Sequence, residues 1–239
     1  LKAPLVTPFL SRILSAASIG VLALLSQPAA AQTQDGQIWF QINTAVPVAK
    51  RTRVTLEQIA RVSERQDGLY QSEFGVLLSR KLVRGLELGV GYRKVGAHNG
   101  SSGTNEDRLR QQLVGSFGPF ATRFRIDERF STEAGGVGIR IRPLIRYNYK
   151  LGSPGLALFA SHESFYLPNS TRWGQRSGYE RMRNIVGATL PIGTEASLDI
   201  GYLNQYRPGR GGRPGQMDHA LTTQLTINLH DLSFPSLHD

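Results

Sequence analysis

Apolar and polar side chains alternate along this chain with a period of two over most of its length. In 137–151, Val137, Ile139, Ile141, Pro143, Ile145, Tyr147, Tyr149 and Leu151 share one face, and Arg140, Arg142, Arg146 and Lys150 share the other. Successive side chains of a β-strand point to opposite sides of the sheet, so this period predicts strands. The same reading gives eleven segments: 37–46, 52–62, 70–82, 85–95, 106–117, 120–131, 137–151, 155–167, 177–190, 194–206 and 217–230. Most exceed the usual globular strand and approach the ~9–11 residues that a tilted membrane strand needs.

The connections sort by length. Short turns at 47–50, 83–84, 118–119, 152–154 and 191–195 are separated by longer, polar, Gly-rich segments at 96–105, 131–136, 168–178 and 207–216. Outer-membrane barrels carry short periplasmic turns and longer external loops. Charge also runs deep into the strands. Arg123, Arg125, Asp127 and Arg129 share the face opposite Phe124, Ile126 and Phe130, and Arg108 and Arg110 lie together with Gln112. Phe40, Tyr70, Tyr92, Phe130, Tyr147, Tyr149, Tyr166 and Tyr202 lie near strand ends, where interfacial aromatic girdles are found.

These patterns predict an all-β fold, a closed antiparallel transmembrane β-barrel of 10–12 strands. Twelve is slightly favoured, because bacterial barrels have an even number and eleven segments are visible. A missed strand, or a first segment outside the wall, would reconcile the two. The alternative is a soluble β-sandwich whose charged face is merely solvated. Alternation aims Glu128 at lipid, so it belongs near the external rim, and His162 and Asn184 are read as rim or partly covered positions.

The N-terminus gives the compartment. Residues 1–31 have the form of a secretory signal peptide, with Lys2 and Arg12 ahead of an apolar run at 13–25 and Ala29-Ala30-Ala31 at the cleavage site. That leaves 32–239 as the barrel and reduces the formal charge from +10 by the two basic residues to +8. Excess arginine in an exported chain points to anionic partners: outer-membrane lipids, lipopolysaccharide and anionic solutes. Bases spread evenly over strands, in that compartment, argue against nucleic acid. The absence of cysteine excludes disulfides and thiolate metal sites. His98, His162, His219, His230 and His238 lack ligand spacing, and the Gly-rich 207–216 segment lacks the strand–helix context of a nucleotide site, so no metal or cofactor is expected.

The run EDRLRQQL at 106–113 is followed by RFRIDERF at 123–130, Arg140-Ile141-Arg142, Glu163-Ser164-Phe165, Arg183-Asn184 and Gly201-Tyr202-Leu203-Asn204-Gln205. In this order they resemble the bacterial outer-membrane proteins grouped as domain of unknown function 2490. The resemblance runs from Trp39 to about Leu229 and rests on order and spacing. It implies an exported β-barrel with no assigned activity, and no catalytic residues carry over. Barrels of this kind often finish on an aromatic residue, whereas this chain continues through Ser233-Phe234-Pro235 to Asp239. The signal for the outer-membrane assembly machinery would then end at Leu229 or Phe234.

Three functions compete. The first is a small anion-preferring channel or solute-binding barrel, its lumen lined by Arg108, Arg110, Arg123, Arg125, Asp127, Arg129, Arg140, Arg142, Arg146, Glu163, Arg181, Arg183 and Asp199. The same residues suit a plugged lumen in which Asp127, Glu163, Asp199 and Glu73 pair with the arginines. The second is an outer-membrane lipid hydrolase. His162 and Ser164 are two apart, hence on one face, and a histidine beside a serine can activate it. Barrel lipid A deacylases use a similar His-x-Ser spacing, but their surrounding residues are not matched here, and Glu180 is the nearby candidate for a third member. The third is a non-conducting structural barrel that binds lipopolysaccharide through Arg172, Arg176, Arg207, Arg210 and Arg213 on its loops.

Overall fold

A computed structural model describes residues 33–229 apart from 100, 102, 104, 153 and 154. The expected signal segment 1–31 and the chain after 229 lie outside the described residues. Eleven strands close into one barrel: β1 (Thr33–Ala49), β2 (Thr52–Ser63), β3 (Gly68–Val83), β4 (Leu86–Ala97), β5 (Glu106–Phe117), β6 (Phe120–Ser131), β7 (Val137–Lys150), β8 (Ala157–Leu167), β9 (Gly178–Ile192), β10 (Ala196–Arg207) and β11 (Gln216–Asn228).

Consecutive strands pair antiparallel, as hairpins must. The closing pair differs. β1 and β11 run parallel, from Thr33↔Gln216 to Ala45↔Asn228. The expected even count, with twelve favoured, is therefore corrected to eleven among the described residues. The even rule assumes that the first and last strands are antiparallel. Here β1 starts at the rim that carries the long loops, so an odd number closes through a parallel seam. The first segment joins the wall on both sides, through β2 and β11.

The other rim carries the tight reversals. At the β3–β4 turn Gly85 has φ +78, and a Cβ there would stand 2.5 Å from the Ser116 carbonyl oxygen, so only glycine fits. We call the two ends the turn rim and the loop rim.

Alternation sorts the side chains as the sequence demands. Ile38, Phe40, Phe74, Val76, Leu78, Leu88, Val90, Leu113, Phe124, Ile145, Leu158 and Val186 face outward and are exposed. Arginines and carboxylates face inward and are buried, among them Arg110, Arg125, Asp127, Arg142, Glu163 and Asp199. Outward polar groups gather toward the loop rim. Lys94 pairs with Asp107 at 3.6 Å, Gln111 Nε2 donates to Glu128 Oε1 at 3.2 Å, and Tyr202 Oη lies 2.5 Å from His219 Nδ1. Glu128 is thus hydrogen-bonded three residues from the end of β6.

Two irregularities shift this alternation by one residue. Pairing of β2 with β3 jumps from Arg61↔Gln71 to Val62↔Leu69, leaving Tyr70 as the extra residue. Pairing of β8 with β9 jumps from Phe165↔Arg181 to Tyr166↔Tyr179, leaving Glu180. A β-bulge re-aims the side chain it carries. Tyr70 accordingly lines the interior, its hydroxyl donating to Gln37 Oε1 at 2.9 Å, and is not a girdle residue. Glu180 binds the neighbouring Arg181 guanidinium.

Candidate functional site

The lumen is divided. One chamber of about 300 Å³ opens toward the turn rim, with Asn43, Arg53, Lys81, Arg84, Gln112 and Asn228 in its lining. A second, of about 440 Å³, lies toward the loop rim, where Asp35, Arg65, Glu106, Arg129, Arg181 and Arg207 line it. The two share no lining residue. Between them lies a septum that is apolar on one side of the barrel and ionic on the other.

The apolar half comes from β1 and β8–β11, where Trp39, Phe159, Ile185, Leu203 and Ala220 form a buried cluster. Two paired glycines make room for it. Gly187 lies opposite both Phe159 and Gly201, and a Cβ on Gly187 would fall 2.3 Å from the Ile200 carbonyl oxygen and 2.9 Å from Phe159 Cζ. Arginines cover the rings: Arg146 stacks on Phe159 with its guanidinium carbon 3.8 Å from the centroid, and Arg61 and Arg183 flank Trp39 at 4.1 and 4.6 Å. Such cation–π contacts strengthen when desolvated.

The ionic half comes from β2–β8, with Asp199 of β10 at its edge. Glu57 accepts from Arg93 Nη2 at 2.8 Å and also pairs with Arg110. Arg140 Nε and Nη2 both donate to Asp127 Oδ2, at 3.0 and 2.6 Å. Glu163 accepts from Arg123 Nη2 at 2.7 Å, while Arg142 Nε and Nη2 reach its two oxygens at 3.0 and 3.2 Å. Arg125 donates twice to Gln112 Oε1, at 2.7 and 3.0 Å, and Arg146 reaches Asp199 Oδ2 at 2.7 Å. Planar guanidinium forks on carboxylates give directional, charge-assisted pairs, and a buried charge is tolerated only with such partners.

The remaining residues expected in the lumen also face inward. Arg108 Nε donates to Glu106 at 2.8 Å, and Arg129 grips the same carboxylate with Nε at 2.9 Å and Nη2 at 2.5 Å. Arg183 Nε donates to Gln205 Oε1 at 2.8 Å, and Arg181 pairs with Glu180. Sequence reasoning omitted Glu57, Arg61, Arg93, Glu106 and Asp218. Each lies at an inward position on an alternating strand, so extending the alternation of β2, β4, β5 and β11 would have found them. Arg207, expected on a loop, ends β10 and reaches Asp218 at 3.1 Å. Arg210 ties two loops together, donating to the carbonyl oxygens of Arg176 and Ser177 at 3.2 and 3.3 Å.

The outer wall carries a second constellation. His162 Nε2 lies 3.0 Å from Ser164 Oγ, and His162 Nδ1 lies 2.7 Å from Asn184 Oδ1. His162 and Asn184 are direct cross-strand partners on β8 and β9, and Tyr179 Oη stands 3.3 Å from Ser164 Oγ. The expected third member, Glu180, is turned to Arg181 by the bulge, and Asn184 occupies its place.

This architecture defines a closed β-barrel with a divided, ion-paired lumen. The chain belongs to the family described as Protein of unknown function (DUF2490), whose model matches residues 36–216. An uncharacterized protein of Methylorubrum extorquens is 30% identical over 227 residues, covering 88% of this chain and 95% of that protein. A solved chain from "Unveiling the Mechanism Behind the in-meso Crystallization of Membrane Proteins" aligns with a TM-score of 0.40 and 12% identity, over 77% of this chain and 79% of that one.

Proposed function

We propose that this protein is a non-conducting β-barrel of a bacterial outer membrane that acts at its surface and not as a conduit. The apolar outer band, the long strands and the sorting of loops by length support the membrane location. The observation that carries the reading is the septum: Trp39, Phe159 and Leu203 on one side and the Arg110–Glu57 and Arg123–Glu163–Arg142 pairs on the other separate the two chambers. A pore needs a continuous polar path, and ions crossing here would have to break buried charge pairs.

The loop-rim chamber supports an anionic partner. Ten arginines line it against three carboxylates, Asp35, Glu73 and Glu106. Each of those arginines pairs with a carboxylate, several set back in the wall, and the more exposed Arg65 and Arg207 offer guanidinium donors suited to phosphate or carboxylate groups, such as those of lipopolysaccharide.

Reconstitution tests the reading. The refolded protein should partition into detergent or vesicles, migrate differently on gels when boiled, and give no steady current in planar bilayers. Ohmic, anion-selective currents from the unmodified barrel would replace this function with the channel, and a detergent-free soluble monomer would remove the membrane altogether.

A further inference from the structure

We propose that His162, Ser164 and Asn184 form a serine hydrolase triad on the outer wall, cleaving acyl esters of membrane lipids. The proposal rests on the membrane location above, since only a barrel embedded in lipid presents this face to acyl chains.

The residues come together for simple reasons. Positions 162 and 164 share a strand face because side chains alternate, and antiparallel register sets Asn184 opposite His162. The Asn184 carboxamide oxygen accepts the Nδ1 proton, which fixes the tautomer and leaves the Nε2 lone pair toward Ser164 Oγ. A base oriented in this way, at hydrogen-bond distance from a hydroxyl, is the minimal arrangement for nucleophilic attack. The neutral amide orients the imidazole without supplying a charge.

The surroundings select the substrate. Ile145 is the cross-strand neighbour of His162 on β7, and Ile145, Leu158, Tyr166 and Val186 are all exposed around the triad. His162 lies at the midpoint of β8, Ser164 two residues nearer the loop rim, and Tyr179 close to the loop-rim end of β9, with the apolar Leu158 toward the turns. The Ser164–Tyr179 edge therefore faces the loop rim, the side from which an ester linkage between headgroup and hydrocarbon would approach. The substrate class is a long-chain carboxylic ester, from a glycerophospholipid or from acylated lipopolysaccharide.

The step balances without a further reactant except water. Ser164 Oγ attacks the ester carbonyl carbon as its proton passes to His162 Nε2. The tetrahedral oxyanion receives a hydrogen bond from the Tyr179 hydroxyl. Collapse breaks the bond to the alcohol oxygen, which leaves with the proton from Nε2. Water then attacks the acyl-serine, gives its proton to Nε2, and releases the fatty acid as Ser164 Oγ is reprotonated.

The test uses the refolded barrel in mixed micelles with either phosphatidylethanolamine or purified lipopolysaccharide, scoring free fatty acid, and labelling by a long-chain fluorophosphonate. Release from one arm identifies the source of the ester. Ser164→Ala should lower release by about a thousandfold or more and abolish the label, because the nucleophile is gone. Asn184→Ala should lower it by less, with a changed pH profile because the ring loses its orienting partner. Ser72→Ala, in the outward Ser72–His98 contact, should leave release unchanged. A barrel that is heat-modifiable and silent in bilayers, yet releases no fatty acid from either lipid and takes no label, overturns the triad while leaving the membrane reading intact. Loss of those barrel properties overturns both.

Discussion

Arg142 grips both oxygens of Glu163, with Nε and Nη2 at 3.0 and 3.2 Å, while Arg123 approaches the same carboxylate from β6 at 2.7 Å. One acid on β8 thus holds two cations on two other strands. All three side chains are almost wholly buried.

Removing that acid should destabilise the barrel sharply. Glu163→Gln leaves Arg123 and Arg142 facing a neutral group in the interior, at a cost of about 3–5 kcal/mol. Urea unfolding of the refolded protein in vesicles measures it. The Glu163→Gln, Arg142→Met pair should be less destabilised than the sum of the single changes, because the neighbours share a network. Additive losses would mean that the pair is not coupled.

A charge on the outer wall separates a lipid-facing surface from a watery one. Val90 points outward near the middle of β4. Val90→Arg should cost about 2–4 kcal/mol near a bilayer midplane. Unfolding in vesicles gives this value for an embedded barrel, whereas a change within a few tenths would indicate a solvated face.

Opening the septum should create current. Trp39→Ala with Phe159→Ala deletes the two large rings of the apolar half and leaves Arg61, Arg146 and Arg183 beside the gap. Planar bilayers should then show conductance that favours chloride over potassium, because guanidinium groups line the new path. Silence in the double variant would show that other side chains seal the passage.

Overpacking the glycine pair should also be costly. Gly187→Leu places its Cβ within 2.9 Å of Phe159 Cζ and against the neighbouring strand's backbone. Forcing volume into a packed interior costs about 1–3 kcal/mol. A lowered unfolding midpoint checks this, and an unchanged midpoint would mean that Phe159 moves aside freely.

The strands were legible because alternation is local. β5 and β6 begin and end where the pattern places them, and the other strands differ by a few residues. What escaped needed three-dimensional information. Tyr70 and Glu180 lie at bulges, and one extra residue reverses which way a side chain points. Asn184 joins His162 only through the register of β8 on β9, which neither strand specifies alone. The septum was hidden for another reason. Ile185 and Leu203 face inward on strands whose apolar residues otherwise face out, so in sequence they merely lengthen a greasy run. The parity argument failed on β1, whose direction depends on where the chain enters the wall.

The parallel seam separates the chain's two exits. Thr33 and Asn228 leave the wall at opposite mouths, about a full strand apart. A short linker could not join the ends to make a circularly permuted barrel. In the membrane location proposed above, epitopes fused ahead of Thr33 and behind Asn228 would be reached by antibodies from different sides.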